Sequence, residues 1–85
     1  VKFLSRVTIT LRKSILDPQG KAVHHAVESL GMKQVRDVRM GKYVEVRFEA
    51  PSESEARSAT EEMCRKLLAN PVMEDFRFEI EKMES

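Results

Sequence analysis

The 85-residue chain predicts an α+β domain in which two helices cover one face of an antiparallel sheet. Three observations carry that expectation. Segments near the start, middle and end alternate apolar and polar residues with the period of a strand. Two capped segments of helical length lie between them. No linker, repeat or low-complexity stretch interrupts the chain, so residues 1–85 read as one domain.

In FLSRVTITLR, residues 3–12, Phe3, Val7, Ile9 and Leu11 share one parity while Arg6, Thr8, Thr10 and Arg12 share the other, which predicts a strand wet on one side. LDPQG then changes the rule. Asp17 can cap a helix, Pro18 suits the first helical position, and Gly31 offers a left-handed stop, so the first helix is expected over about residues 18–30.

QVRDVRMGKYVEVRFE, residues 34–49, predicts two strands around the turn Met40-Gly41-Lys42, with Gly41 where a positive φ would be needed. Val44, Val46 and Phe48 alternate cleanly with Glu45, Arg47 and Glu49, whereas Val35 and Val38 differ in parity, which predicts a bulge or a late strand start. The second helix opens on a Ser52…Glu55 capping box and closes at Asn70-Pro71, with an apolar stripe of Ala56, Ala59, Met63 and Leu67 and with Thr60 and Cys64 at its margin. Phe76, Phe78 and Ile80 alternate with Arg77, Glu79 and Glu81 to give the last strand. The resulting order is β-α-β-β-α-β, the ferredoxin-like arrangement. Its second sheet face carries Thr, Arg and Glu, and such a face is either solvated or a docking surface.

A chain this short buries roughly 60–65% of its unfolded surface, so its own core is marginal and an oligomer would ease the shortage. Lys and Arg number 15 against 14 Asp and Glu, and no block of one sign is present to grip a phosphate backbone, which argues against nucleic acid as a partner. An RNA-binding module of this topology would display aromatics on the open sheet face, but Phe48, Phe76 and Phe78 share parity with Val44, Val46 and Ile80 beneath the helices. With no membrane-length apolar run, no apolar signal region and a single cysteine, the expected setting is cytoplasmic and away from any membrane.

No candidate catalytic site survives inspection of spacing. His24 and His25 are adjacent on a helix and cannot converge on a metal, and the chain has no third histidine. Cys64 reads as a buried, inert thiol. The strand carboxylates Glu45, Glu49, Glu79 and Glu81 alternate with Arg47 and Arg77, as expected of cross-strand charge pairing. LDPQG and RMGKY each set a glycine beside polar groups, and Tyr43 is either a surface anchor or a strand aromatic. Two function classes stay open on the residues alone, an assembly module and a regulatory domain that binds a small ligand between paired subunits.

LDPQGKAVHHAVESLG at 16–31, VRDVRMGKYVEV at 35–46 and EEMCRKLLANPVMEDFRFEI at 61–80, in that order and spacing, resemble the PurS family. This family is the small subunit of the multi-subunit phosphoribosylformylglycinamidine synthase of bacteria and archaea. The resemblance implies a ferredoxin-like chain that dimerises and has no catalytic, cofactor-binding or metal residues of its own. It implies a place in de novo purine synthesis, where formylglycinamide ribonucleotide, ATP and glutamine give formylglycinamidine ribonucleotide. A PurQ subunit releases ammonia from glutamine, and a PurL subunit uses ATP and Mg to activate the amide. The expected role is to hold those two partners together. The segments that match and are expected to face solvent make Asp17, Pro18, Gln19 and Gly20, with Arg39, Gly41, Lys42 and Tyr43, the candidate partner contacts.

Overall fold

The computed structural model describes residues 1–83. Strand β1 (Lys2–Leu11) leads to helix α1 (Pro18–Ser29), strand β2 (Gly41–Glu49), helix α2 (Glu53–Met63) with a π-helical turn at Cys64–Leu68, and strand β3 (Glu74–Met83). β1 is the centre of a three-stranded sheet of order β2-β1-β3. Both ladders are antiparallel, with Val7 opposite Val44 on one side and Phe78 on the other. The α+β class, both helices and three of the strands form as expected.

The strand expected over residues 34–39 is a correction: this segment keeps its place in the chain order but joins no ladder among the described residues. It lies instead along α1. His24 Nε2 sits 2.8 Å from the Val35 carbonyl, and a Cβ built at Gly20 would meet the Val38 carbonyl at 2.2 Å. Backbone groups that would enter a hairpin are thus turned toward the helix, and among the described residues β2 is paired on one edge alone.

Local chemistry explains both helices. Asp17 is the N-cap of α1, accepting the Gly20 amide at 3.0 Å, with Pro18 at the first helical position. At the other end Gly31 takes φ 92°, its amide bonds the Glu28 carbonyl at 2.9 Å, and the Met32 amide bonds the Val27 carbonyl at 3.3 Å, the paired pattern of a Schellman stop. Ser52 Oγ accepts the Glu55 amide at 3.3 Å to open α2.

The core lies between α2 and the sheet. Phe3, Ser5, Val7 and Ile9 of β1 are buried on one face against Ala56, Thr60 and Cys64 of the helix. Two hydroxyls in this layer satisfy each other, Ser5 Oγ and Thr60 Oγ1 being 2.6 Å apart while Thr60 also donates to the Ala56 carbonyl at 2.9 Å. The expected stripe is therefore rotated: Thr60 and Cys64 are central, and Leu67 is 80% exposed. A physical reason is the π-helical turn, in which the Ala69 amide reaches back to the Cys64 carbonyl at 2.9 Å, so the extra residue per turn moves Leu67 outward and brings Leu68 and Ala69 to the core.

Among the described residues α1 makes no extensive packing with any strand. With residues 31–40 it forms an arm that leaves the sheet where β1 ends and re-enters where β2 begins. The long dimension of the molecule is 51 Å, whereas a ten-residue strand spans about 33 Å. The radius of gyration, 16.6 Å, likewise exceeds the roughly 12 Å of a compact chain of this length. The α1 stripe containing Val23 and Leu30 is left exposed as a result, and the inner face of β2 containing Val46 and Phe48 is only half-buried.

Candidate partner interface

The two segments singled out in the sequence come together at the base of the arm. Asp17 is 4% exposed, and its carboxylate takes the Gly20 amide on one oxygen and the Met40 amide on the other at 2.7 Å. These two backbone hydrogen bonds, aided by the nearby Arg39 charge, hold the carboxyl below the usual aspartate range. Arg39 closes the base from the other side, its Nη2 lying 2.9 Å from the Arg12 carbonyl and 3.1 Å from that of Ile15. A turn expected to face solvent is thus partly internal: Asp17 and Gly20 are buried and fasten the arm, while Pro18 and Gln19 remain exposed.

Gly41 also differs from expectation. Its φ is not positive; Gly31 is the positive-φ glycine. The need for glycine is close approach, because a Cβ at Gly41 would stand 2.6 Å from the Ile9 carbonyl on the adjacent strand. Beside it Lys42 pairs with Glu74 at 3.5 Å, joining β2 to β3 over the end of β1. Tyr43 points to the polar sheet face, where its hydroxyl donates to Glu45 at 3.0 Å. Partial desolvation and the Glu45 carboxylate hold the phenol above its ordinary value.

On that polar face charges pair through the central strand. Arg6 of β1 bonds Glu81 of β3, and the Arg6 guanidinium is held charged by it. β1 lies between β2 and β3, and among the described residues the strand carboxylates form no ion pair with Arg47 or Arg77; the cross-strand pair formed on this face is Glu81 with Arg6 of β1. His24 is a latch on the arm through the Val35 carbonyl, and His25 is exposed beside it. Burial pushes the Cys64 thiol up and leaves it inert at ordinary pH. Among the described residues no three His, Cys, Asp or Glu side chains gather as a metal would require. A concavity of about 540 Å³ is lined by Arg12 and Arg65 but equally by Glu61, Glu74 and Asp75, and it concentrates no single charge.

Sequence reasoning missed Arg12 and Asn70. Arg12 donates to the Pro71 carbonyl at 2.6 Å and faces Asp75 at 3.5 Å, while the Asn70 side chain accepts the Val72 amide at 3.0 Å, so together they fix the entry to β3 next to the arm base. The Asn-Pro pair was legible only as a helix stop; the partner across the sheet had no local signal. No helix among the described residues is long and apolar enough to cross a membrane.

Comparison with known proteins places this geometry. The PurS family profile, described as phosphoribosylformylglycinamidine (FGAM) synthase, matches residues 4–82. The phosphoribosylformylglycinamidine synthase subunit PurS of Bacillus subtilis is 47% identical over 78 residues, covering 92% of each chain. A structure of Thermus thermophilus PurS superposes with a TM-score of 0.87 at 39% identity, over 99% of this chain and all of the other. A chain in the structure of PurLQS from Thermotoga maritima shares the fold, with a TM-score of 0.86 at 24% identity over 94% of this chain and 98% of that one.

Proposed function

The chain belongs to the PurS family of phosphoribosylformylglycinamidine synthase subunits, and from that premise we propose that it is the assembly subunit of the enzyme. It forms a homodimer and holds a PurL-type synthetase beside a PurQ-type glutaminase, so that ammonia released from glutamine meets the activated amide before it escapes to solvent. The contribution is positional: fixing two active sites in register removes the cost of bringing the ammonia and the amide together by diffusion. ATP and Mg2+ act in the synthetase, and this chain contributes no catalytic group and binds no cofactor.

The observation that carries this reading is the near end-to-end match to PurS subunits at 47% identity. The fold's occurrence in the Thermotoga maritima PurLQS structure supports the choice of partners. Pro18, Gln19, Lys42 and Tyr43, exposed together around the fastened base of the arm, are the side chains we assign to partner contact. Asp17, Gly20, Arg39 and Gly41 act through them by setting the shape of that surface. The small-ligand regulatory reading gains no support from these relatives.

Mixing the chain with PurL-type and PurQ-type subunits and measuring mass by light scattering after gel filtration tests the assembly. A ternary species containing all three chains is expected. Failure of this chain to enter any complex, with both partners folded and supplied with their substrates, would overturn the reading.

A further inference from the structure

We infer that the outer edge of β3 takes up a strand from another protein of the assembly: an extended segment, apolar on alternate residues and basic on those between, that pairs with β3 beside α2. The inference rests on the assembly role proposed above and adds a surface to the contacts assigned there.

The backbone register shows which groups of that edge are free. The Arg12 amide donates to the Met73 carbonyl at 2.9 Å, and the same register pairs Thr10 with Asp75, Thr8 with Arg77 and Arg6 with Glu79. Antiparallel bonding alternates along a strand, so these odd-numbered residues of β3 turn their N–H and C=O groups to β1. Across the sheet the Ala50 amide donates to the Val1 carbonyl at 3.0 Å, which commits the odd-numbered residues of β1 to β2 and its even-numbered ones to β3, in agreement. Phe76, Phe78 and Ile80 therefore direct their amides and carbonyls outward, and among the described residues β3 pairs along one edge alone.

Side chains turn this edge into a groove. Phe76, Phe78 and Ile80 are half-buried on the face that α2 covers. The hollow of about 540 Å³ opens between the helix and the start of the edge, with Glu61 and Arg65 on one side and Phe76 on the other, the Arg65 guanidinium lying 5.7 Å from the centre of the Phe76 ring. Its charges already pair, Arg65 with Glu61 at 3.0 Å and Arg12 with Asp75 at 3.5 Å, so it suits an apolar side chain better than an ion. A strand laid along β3 would place alternate side chains on this face, one of them in the hollow. β3 runs residue for residue beside β1 from Glu74 to Met83, with neither bulge nor proline to blunt its edge.

Charge selects the occupant. The wet face of β3 carries Asp75, Glu79 and Glu81 against Arg77; β1 supplies ion pairs to Asp75 and Glu81 from its own side, and Glu79 has none among the described residues. Because the outward bonds belong to the even-numbered residues, the odd-numbered ones would meet the new strand as non-hydrogen-bonded pairs, whose side chains stand closest. Lys or Arg at those positions would meet the carboxylates. A second β3 fits worse: its longest antiparallel overlaps set Asp75 against Glu81 at both ends, or Glu79 of one against Glu79 of the other.

Hydrogen exchange read residue by residue, on the chain alone and mixed with PurL-type and PurQ-type subunits, tests the inference. The amides of Phe76, Phe78 and Ile80 are expected to exchange freely in the chain alone and to slow at least about tenfold in the complex, while those of Arg77 and Glu79, already bonded to β1, stay slow in both. If the chain enters the complex and the three amides exchange as before, the inference falls and the assembly role stands; if no complex forms, both fall. Protection of these amides in the chain alone that grows with its concentration would put a second copy at the edge and overturn the inference as well.

A second measurement removes one donor. Ligating a synthetic 64–85 segment through Cys64 to residues 1–63 allows the Phe78 amide to be N-methylated with its side chain kept. The melting temperature should match that of the ligated chain without the methyl, whereas the complex should weaken about tenfold or more. Equal affinity, or a fall in melting temperature that shows the amide bonded within the chain, overturns the inference. Glu79→Lys should also weaken the complex; unchanged or tighter binding would overturn the basic occupant.

Discussion

The carboxylate of Asp17 accepts the backbone amide of Met40 at 2.7 Å, fastening the start of helix α1 to the start of strand β2 across 23 residues. The same carboxylate caps the helix through Gly20. One side chain therefore sets both the helix and the departure of the arm from the sheet.

Acid should loosen this joint. The two amide bonds hold the Asp17 carboxyl below its ordinary value, so its contribution to stability is fully present above the unfolded value near 3.9 and is lost as pH falls through the lower folded one. Protection of the Gly20 and Met40 amides, read as the ratio of the intrinsic to the observed hydrogen-exchange rate from pH 6 down to pH 2, is expected to fall at the acidic end. Asp17→Asn should remove that dependence. An unchanged acid limb in the variant would contradict the assignment.

Gly20→Ala should disrupt the arm, because the new methyl would meet the Val38 carbonyl at 2.2 Å. Gly41→Val should weaken the β1–β2 ladder through the Ile9 carbonyl at 2.6 Å. Overpacking of this kind costs about 1–3 kcal/mol. Denaturant melts of both variants measure it, and melts within error of the wild type would show that the neighbouring backbone gives way freely.

Thr60→Val should cost about 1–3 kcal/mol by stranding the buried Ser5 hydroxyl, a penalty that Ser5→Ala in the same chain should partly relieve. A double-mutant cycle by urea denaturation reads the coupling. Strict additivity would mean the two hydroxyls do not interact.

Cys64 should be protected. Burial raises its thiol above the ordinary value, so labelling by Ellman's reagent in the native protein should be slow and should become rapid with unfolding. Immediate stoichiometric labelling at neutral pH would contradict the packing of the π-helical turn on the sheet.

What could be read from the residues divides along the range of the forces involved. Strands β1, β2 and β3, the caps Asp17 and Ser52 and the stop at Gly31 are local patterns, and all were legible. The segment around Val35 and Val38 has strand character but pairs with no strand among the described residues, and periodicity alone cannot report whether a ladder forms. The π-helical turn that moved Leu67 outward lies beyond any pattern of 3.6 residues per turn. Gly41 was singled out for the wrong reason, since close approach to Ile9 is a property of the folded pair and has no signature at the turn. At the candidate interface, the two polar segments were legible as a pair of interest. That Asp17 and Arg39 fasten them together needed three dimensions.

The most direct test of the assembly role is the rate of formylglycinamidine ribonucleotide formation by PurL-type and PurQ-type subunits with and without this chain, using glutamine in one series and ammonia in the other. The account predicts that glutamine supports efficient synthesis only when the chain is present, while ammonia supports it with the synthetase alone. Equal glutamine-dependent rates in its presence and absence would contradict it.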